Sequence, residues 1–398
     1  MYVSKQGLFL NIILLLQLTP LLGFNGQIAC VILLIMYATL HIKEIITWKY
    51  PSKYLINAMG IIGLFQILYC KIVYNQSILD GASGIYFIAL FLSYYFFYNY
   101  ITQDYERINI LNDKILIIAA SVSVLCILQS VLYPHINIFE FSMRNGRMRI
   151  PGTAMSFFAE IIGITYLYNG KATTKRKILV SILVFALIFV SQSRGGTILL
   201  FCAAVIALIK KLIDSKSKQS MVLLFAFVLG LVALLAILSK TEYWNQIFSF
   251  VNEMQEGSGS GATRMNEMKY YFLQLQGNEA MGLGLLRGGS ILADKVFRTD
   301  LHYFIEDLGL LGFVLQTGVI GCIWVVWAVL AIVRKISKLR KIGKEDTRLI
   351  GTVLVMLLVV TLIGFANTNY IIARSTILFF AMVLAQADVL IDRERYLE

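Results

Sequence analysis

The chain has 398 residues, 58% of them hydrophobic and 15% charged, with a formal net charge of +12. Soluble domains are nearer half apolar and a quarter charged, and disordered chains are poorer still in apolar residues, so both classes are excluded. Apolar runs recur along the whole length without the alternation of a transmembrane β-barrel. The expected fold class is all-α: a polytopic integral membrane protein of about twelve transmembrane helices with one large extracytoplasmic loop.

A helix needs roughly 20 apolar residues to cross about 30 Å of hydrocarbon. In chain order the predicted spans are 7–23, 26–42, 55–74, 84–101, 115–133, 153–168, 178–193, 195–209, 220–239, 308–333, 349–366 and 371–390. The first resembles a signal peptide in length, but eleven spans follow it, so it reads as the first helix. The chain divides into residues 1–133 with spans 1–5, 134–239 with an arginine-bearing loop and spans 6–9, the large loop 240–302, and 303–398 with spans 10–12 and a tail. The five cysteines, Cys30, Cys70, Cys126, Cys202 and Cys322, lie inside apolar runs and read as small buried hydrophobes, not disulfides or metal ligands.

Twelve spans put both termini on one side. Lys43, Lys49 and Lys53, then Lys171, Lys175, Arg176 and Lys177, then Lys210, Lys211, Lys216 and Lys218 follow even-numbered spans. So do Arg334, Lys335, Lys338, Arg340, Lys341, Lys344 and Arg348. The positive-inside rule makes that side cytoplasmic. The inside connections and tails hold 16 Lys and 7 Arg against 11 acidic residues, and the outside half holds 4 Lys and 8 Arg against 12. The whole net charge is then a topology signal, and nucleic acid is not the expected partner.

The outside half favours arginine over lysine, which topology does not require. Arginine suits bidentate recognition of phosphate or carboxylate. The eight arginines fall in four segments. Arg144, Arg147 and Arg149 lie between Pro134 and Gly152, and Arg194 lies in SQSRGG between spans 7 and 8. Arg264, Arg287 and Arg298 lie in the large loop, and Arg374 lies before span 12. Span 7 has only about 16 residues before Arg194, roughly 24 Å of helix, so its tip is expected below headgroup level, where charge usually lines a wet cavity.

In the large loop, residues 245–254 show an apolar helical face, and GSGSG at 257–261 reads as a flexible break. Thr263 reads as an N-cap for a helix over 264–276. Both helices are expected at the membrane interface. His302 stands where the chain re-enters the membrane, with Glu306 expected at i+4 on the same helix face and Asp307 beside it; a histidine near carboxylates suits general-base work. Glu160, inside span 6, is either an ion-pair partner of an outside arginine or a substrate contact. There is no Walker A, no H-E-x-x-H, no metal-type Cys/His cluster and no D-x-D. Any chemistry must sit at the outer mouth of the bundle. With four prolines, and only Pro20 clearly inside a span, few interrupted helices are expected.

Four segments together resemble the O-antigen polymerase and O-antigen ligase superfamily of bacterial membrane glycosyltransferases. RMRIPGTAMSFFAE (147–160) is similar to the family's basic Gly-Pro segment, and SQSRGGTILLF (191–201) to its SRG hairpin. GATRMNEMKYYF with NEAMGLGLLRGG is similar to its outside loop, where an arginine precedes an aromatic and a G-x-G. LHYFIEDLGLLGFVLQTGVIG is similar to its histidine-led re-entry. The match covers residues 115–330. It departs at Met268, where the family often has Trp nearby and this chain has Tyr270 and Tyr271, and at Tyr303, where Asn is frequent.

The resemblance implies a GT-C-like fold in the bacterial inner membrane and a polyprenyl-diphosphate-linked oligosaccharide as donor. It implies no cofactor, because the donor is already activated. A chain-length regulator and a flippase are implied as protein partners, besides the lipid bilayer. It assigns Arg194 and Arg264 with His302 and Glu306 to catalysis. Arg287, Arg147, Arg149, Glu160, Arg298 and Arg374 are assigned to substrate binding. A polymerase is the favoured reading, a ligase to lipid A core the alternative, and a lipid-linked glycan transporter the remote one.

Overall fold

The computed structural model describes residues 5–18, 26–47, 50–133, 135, 142–144, 147–149, 154–191, 194–214, 222 and 259–395. Among these the regular structure is helical apart from one hairpin, β1 (Ser142–Arg144) with β2 (Arg147–Arg149), in which Met143 is in register with Met148. The first half comprises α1 (Lys5–Leu16), α2 (Gln27–Leu40), α3 (Ile42–Thr47), α4 (Lys53–Tyr74), α5 (Ile78–Ile85), α6 (Ser93–Thr102) and α7 (Arg107–Leu132). The second comprises α8 (Ala154–Tyr168), α9 (Thr174–Phe185), α10 (Arg194–Asp214), α11 (Gly259–Leu275), α12 (Ile291–Phe297), α13 (Gly309–Ile342), α14 (Glu345–Ile363) and α15 (Ile377–Arg395).

Among the described residues six helices are long and apolar enough to cross a membrane: Lys53–Tyr74, Ile78–Thr102, Arg107–Leu132, Gly195–Leu212, Ile305–Ile342 and Glu345–Ile363. Lys5–Leu16, Gln27–Leu40 and Met155–Tyr168 are shorter apolar helices. Two further predicted spans are helical but differ from a plain apolar crossing. Residues 178–193 split into α9 and a π-helical turn, Ala186–Ser191. Residues 371–390 end in α15, whose last turns carry Asp388, Asp392, Arg393, Glu394 and Arg395. The predicted span 220–239 and the apolar face at 245–254 lie outside the described residues.

The core forms around α15. Every residue from Ile377 to Ile391 is buried, including Phe379 and Phe380. A helix that is apolar on all sides belongs inside a bundle, and α6, α13 and α14 enclose this one. Lipid tails are as apolar as leucine, so such helices associate through close packing and interhelical hydrogen bonds. Phe91 meets both Trp324 and Phe380 edge-on, with centroids 5.7 and 6.4 Å apart.

One charged pair crosses this core. Lys335, expected in the cytoplasmic connection after span 10, lies within α13, which continues to Ile342, and its ammonium pairs with Asp388 of α15. The other carboxylate oxygen of Asp388 accepts from Ser52 Oγ at 2.6 Å and Tyr94 Oη at 2.8 Å. The charge is thereby compensated, as burial demands.

One of the long helices is interrupted. α13 breaks at Gly318, whose φ of 65° and ψ of −151° are open to glycine alone. No proline is involved: the break is made by a docked loop. Leu283 N–H donates to Leu315 O (2.9 Å), Gly284 N–H to Gln316 O (2.8 Å), and Val319 N–H to Glu279 O (2.9 Å). The backbone groups released by the break are therefore bonded to residues 279–284, and such satisfaction is what lets irregular backbone persist inside a membrane bundle. Buried Gln66 of α4 holds the loop from the other side, with Nε2 on Met281 O (2.9 Å) and Oε1 on Leu285 N–H (3.3 Å).

Candidate functional site

The turn between α14 and α15 organises one end of the bundle. Thr368 O and Phe365 O accept the N–H groups of Leu310 and Leu311 at 3.2 and 3.0 Å, satisfying the first turn of α13. Gly309 abuts the Thr368 backbone. A Cβ added at Gly195 would lie 3.0 Å from Asn367 Nδ2, so the start of α10 meets the same turn. Two helix N-termini, at Arg194 and at Gly309, thus converge on residues 365–368. Phe157 of α8 stacks on Tyr370 with centroids 4.1 Å apart, which brings α8 to the same place.

Glu160 sits one turn beyond Phe157 and is 2% exposed. No described residue pairs with its Oε2. Among the outside arginines expected as its partner, the side chains of Arg147, Arg149 and Arg194 lie outside what is described. β2, which carries Arg147 and Arg149, packs on the π-helical turn that leads to Arg194. The backbone thus gathers these three arginine positions at one corner; their side chains lie outside what is described.

The large loop differs from expectation in two respects. α11 begins at Gly259, so residues 259–261 form its first turn and are not a break, and Thr263 lies inside the helix, not at its cap. His302 and Glu306 do not share a helix face. His302 has φ 59° and ψ 32°, between a 3₁₀ turn at Thr299–Leu301 and another at Ile305–Leu308, and the helix starts only at Gly309. The short TDLHYF sequence turns here because left-handed residues at both Arg298 and His302 interrupt the helical path. His302 and Glu306 are both exposed.

The remaining arginines have partners of differing quality. Arg287 is exposed and pairs with Asp80 of α5, while its backbone N–H donates to Gln76 Oε1 at 3.1 Å. Arg298 forms a two-point pair with Asp300 at 2.8 and 2.9 Å. Arg374 is exposed and lies over the rings of Tyr86 and Phe87, 5.9 and 5.4 Å from their centroids, while Gln27 Nε2 donates to its carbonyl at 3.4 Å. Arg264 is half-buried on α11.

Sequence reasoning missed Glu267. It lies three residues after Arg264 on α11 and is 1% exposed. Its Oε1 accepts the Phe304 N–H at 3.0 Å, and its Oε2 has no partner. Burial pushes the carboxyl above its usual range; the Phe304 N–H opposes this, Asp307 adds to it and Arg264 opposes it. The one sequence signal was its i+3 spacing from Arg264 on a predicted helix. Gln66 was missed as well, one of two amides, with Asn57, inside span 3. Among the described residues no cluster of three or more His, Cys, Asp or Glu is placed to hold a metal ion.

No family model and no curated protein matches the chain.

Proposed function

We propose that the chain is a polymerase of O-antigen, capsule or exopolysaccharide that joins polyprenyl-diphosphate-linked oligosaccharide repeat units on the outer face of the bacterial cytoplasmic membrane. It is read as a GT-C-like protein of about twelve spans with both termini cytoplasmic. The observation that supports this reading is the convergence of the Arg194 end of α10, the Arg147 and Arg149 strand, the turn before Arg374 and the His302 re-entry at one end of an apolar bundle. A diphosphate presented from the lipid would meet guanidinium groups and helix N-termini there.

In this reading an acceptor hydroxyl oxygen attacks the anomeric carbon of the donor sugar. The bond from that carbon to the diphosphate oxygen breaks, and polyprenyl diphosphate leaves with the electron pair. Arg194, Arg264 and Arg287 stabilise its growing charge. His302 takes the hydroxyl proton, and Glu306 orients or replaces it. Arg147, Arg149, Arg298, Arg374 and Glu160 contact the substrate. Arg287 must leave Asp80 to take part.

The test is elongation by purified protein in nanodiscs given one lipid-diphosphate-linked repeat unit. A ladder of longer lipid-linked glycans supports the polymerase. Transfer only after addition of a lipid A core acceptor replaces it with the ligase. The interrupted α13 is the one observation that favours a transporter, since transporters hold substrate at such breaks. Here the break is filled by the chain's own residues 279–284. Movement of the donor across the bilayer without elongation would make the transporter the better reading.

A further inference from the structure

The re-entry loop that carries His302 and Glu306 has almost no regular structure of its own. Between Arg298 and Gly309 it consists of two single 3₁₀ turns, with left-handed backbone at Arg298 and His302 and an unusual conformation at Gly309. Such a path persists only when its surroundings hold it. Its far end is fixed by Leu310 and Leu311 on the 365–368 turn. Its near end is fixed by Tyr271, whose hydroxyl donates to Phe297 O at 2.9 Å. At the centre the Tyr303 ring meets Tyr270 at 5.8 Å and Ile305 and Leu308 are buried in one cluster with Tyr271, and the loop backbone itself is held by a side chain of α11: Glu267 Oε1 accepts the Phe304 N–H at 3.0 Å. Phe304 lies two residues from His302 and two from Glu306.

We infer that Glu267 is a positioning residue for the proposed transfer, and that its carboxylate sets the loop bearing His302 and Glu306 through the Phe304 amide. This rests on the functional reading above for the chemistry it serves, but the latch itself is a statement about geometry. Glu267 is buried and does not face solvent, so it acts through the loop and not on the sugar. A carboxylate is a stronger acceptor for an N–H than its protonated form. The latch is therefore tightest when Glu267 is ionised and loosens as the pH falls through its raised pKa. The groups that bear on this ionisation are Arg264 and Tyr271 on α11 and Asp307 on the second 3₁₀ turn. The part of α13 packed beside α11 adds no charge, since no charged residue occurs between Gly309 and Val333. Ionising this buried group also carries a cost. Its folded pKa is raised, so its stability contribution is complete at acid pH and is lost as pH rises through the folded value. Stability and loop order thus pull in opposite directions at Glu267, a common signature of a functional group.

The experiment uses the full chain in nanodiscs as wild type, Glu267→Gln and Glu267→Leu. Gln keeps an oxygen for the Phe304 N–H but cannot ionise; Leu keeps the volume and removes the acceptor. Hydrogen exchange over 298–308 is read first. Exchange at least tenfold faster in Glu267→Leu, with protection retained in Glu267→Gln, is expected. Equal protection in all three overturns the latch whether or not the chain is a glycosyltransferase. Elongation kinetics are read second. In Glu267→Leu, kcat is expected to fall at least tenfold with the donor KM unchanged. In Glu267→Gln, activity at pH 8 stays within about threefold and the fall of rate toward acid pH moves or disappears. Full kcat in Glu267→Leu, or an unchanged pH profile in Glu267→Gln, overturns the positioning role. A wild-type chain that elongates nothing overturns the polymerase reading and the positioning role with it, and hydrogen exchange then still decides the latch.

Discussion

The two ends of the bundle treat charge in opposite ways. Around Asp388 every carboxylate oxygen is engaged, by Lys335 on one side and by Ser52 and Tyr94 on the other, and Asp392 accepts from Tyr98 at 2.8 Å. Nearby Arg176 makes a two-point pair with Asp113 at 2.7 and 2.9 Å and covers the Tyr166 ring, 3.9 Å from its centroid. At the other end Glu160 and Glu267 each keep a buried oxygen without a partner, and His302, Glu306 and Arg374 face outward. Buried polar groups are nearly always satisfied, so unsatisfied ones need a reason. At the first end these charged groups are engaged within the protein, although the buried Ser93 hydroxyl beside Tyr94 has no partner. The second has hydrogen-bonding capacity to give to something else.

That contrast can be broken by substitution. Asp388→Ala strands the Lys335 ammonium and should cost about 3–5 kcal/mol, read as thermal unfolding in detergent. Combining Lys335→Met with Asp388→Leu should recover most of the loss, and a double variant as unstable as the sum of the two singles would deny the pairing. At the other end Arg194→Ala and Arg264→Ala should leave folding and accumulation intact while glycan elongation falls about 10²–10³-fold. Arg194→Lys should fail as well if two-point geometry matters; normal elongation in the alanine variants would remove the diphosphate clamp. Gly318→Ala sets a Cβ 2.5 Å from Glu279 O and should destabilise by about 1–3 kcal/mol, with faster proteolysis of the released loop. The smallest effect is expected at Arg298. Its pair with Asp300 is solvent-exposed, and Arg298→Ala should leave the unfolding midpoint unchanged at moderate salt.

Hydropathy made the six long apolar helices legible because each declares itself within some 20 residues. Glu160 was legible too, as a charge inside an apolar run. Asp388 carried the same signal within span 12, but its partners Lys335, Tyr94 and Ser52 lie 53, 294 and 336 positions away, so the cluster left no local trace. The break at Gly318 left no local trace: it requires residues 279–284 and Gln66, and Gln66 and Leu285 are 219 positions apart. The His302–Glu306 pair was misread for the converse reason. Its spacing suits a helix, but the backbone follows anchors at Glu267, Phe297 and Thr368 that no short window contains.

The docked loop also has a consequence for the order in which the molecule comes into being. Residues 279–285 need Gln66 from the first third of the chain and the broken segment of α13, while the start of α13 needs the turn at 365–368. A ribosome must have produced α4, the loop, α13 and the turn after α14 before these contacts close. The loop-bearing end therefore closes only after residue 368 has been made, and the Asp388 end, which needs α15, only after residue 388. Chains truncated before residue 364 should insert most of their helices yet never acquire a formed re-entry, so the protein has no working precursor during its own synthesis.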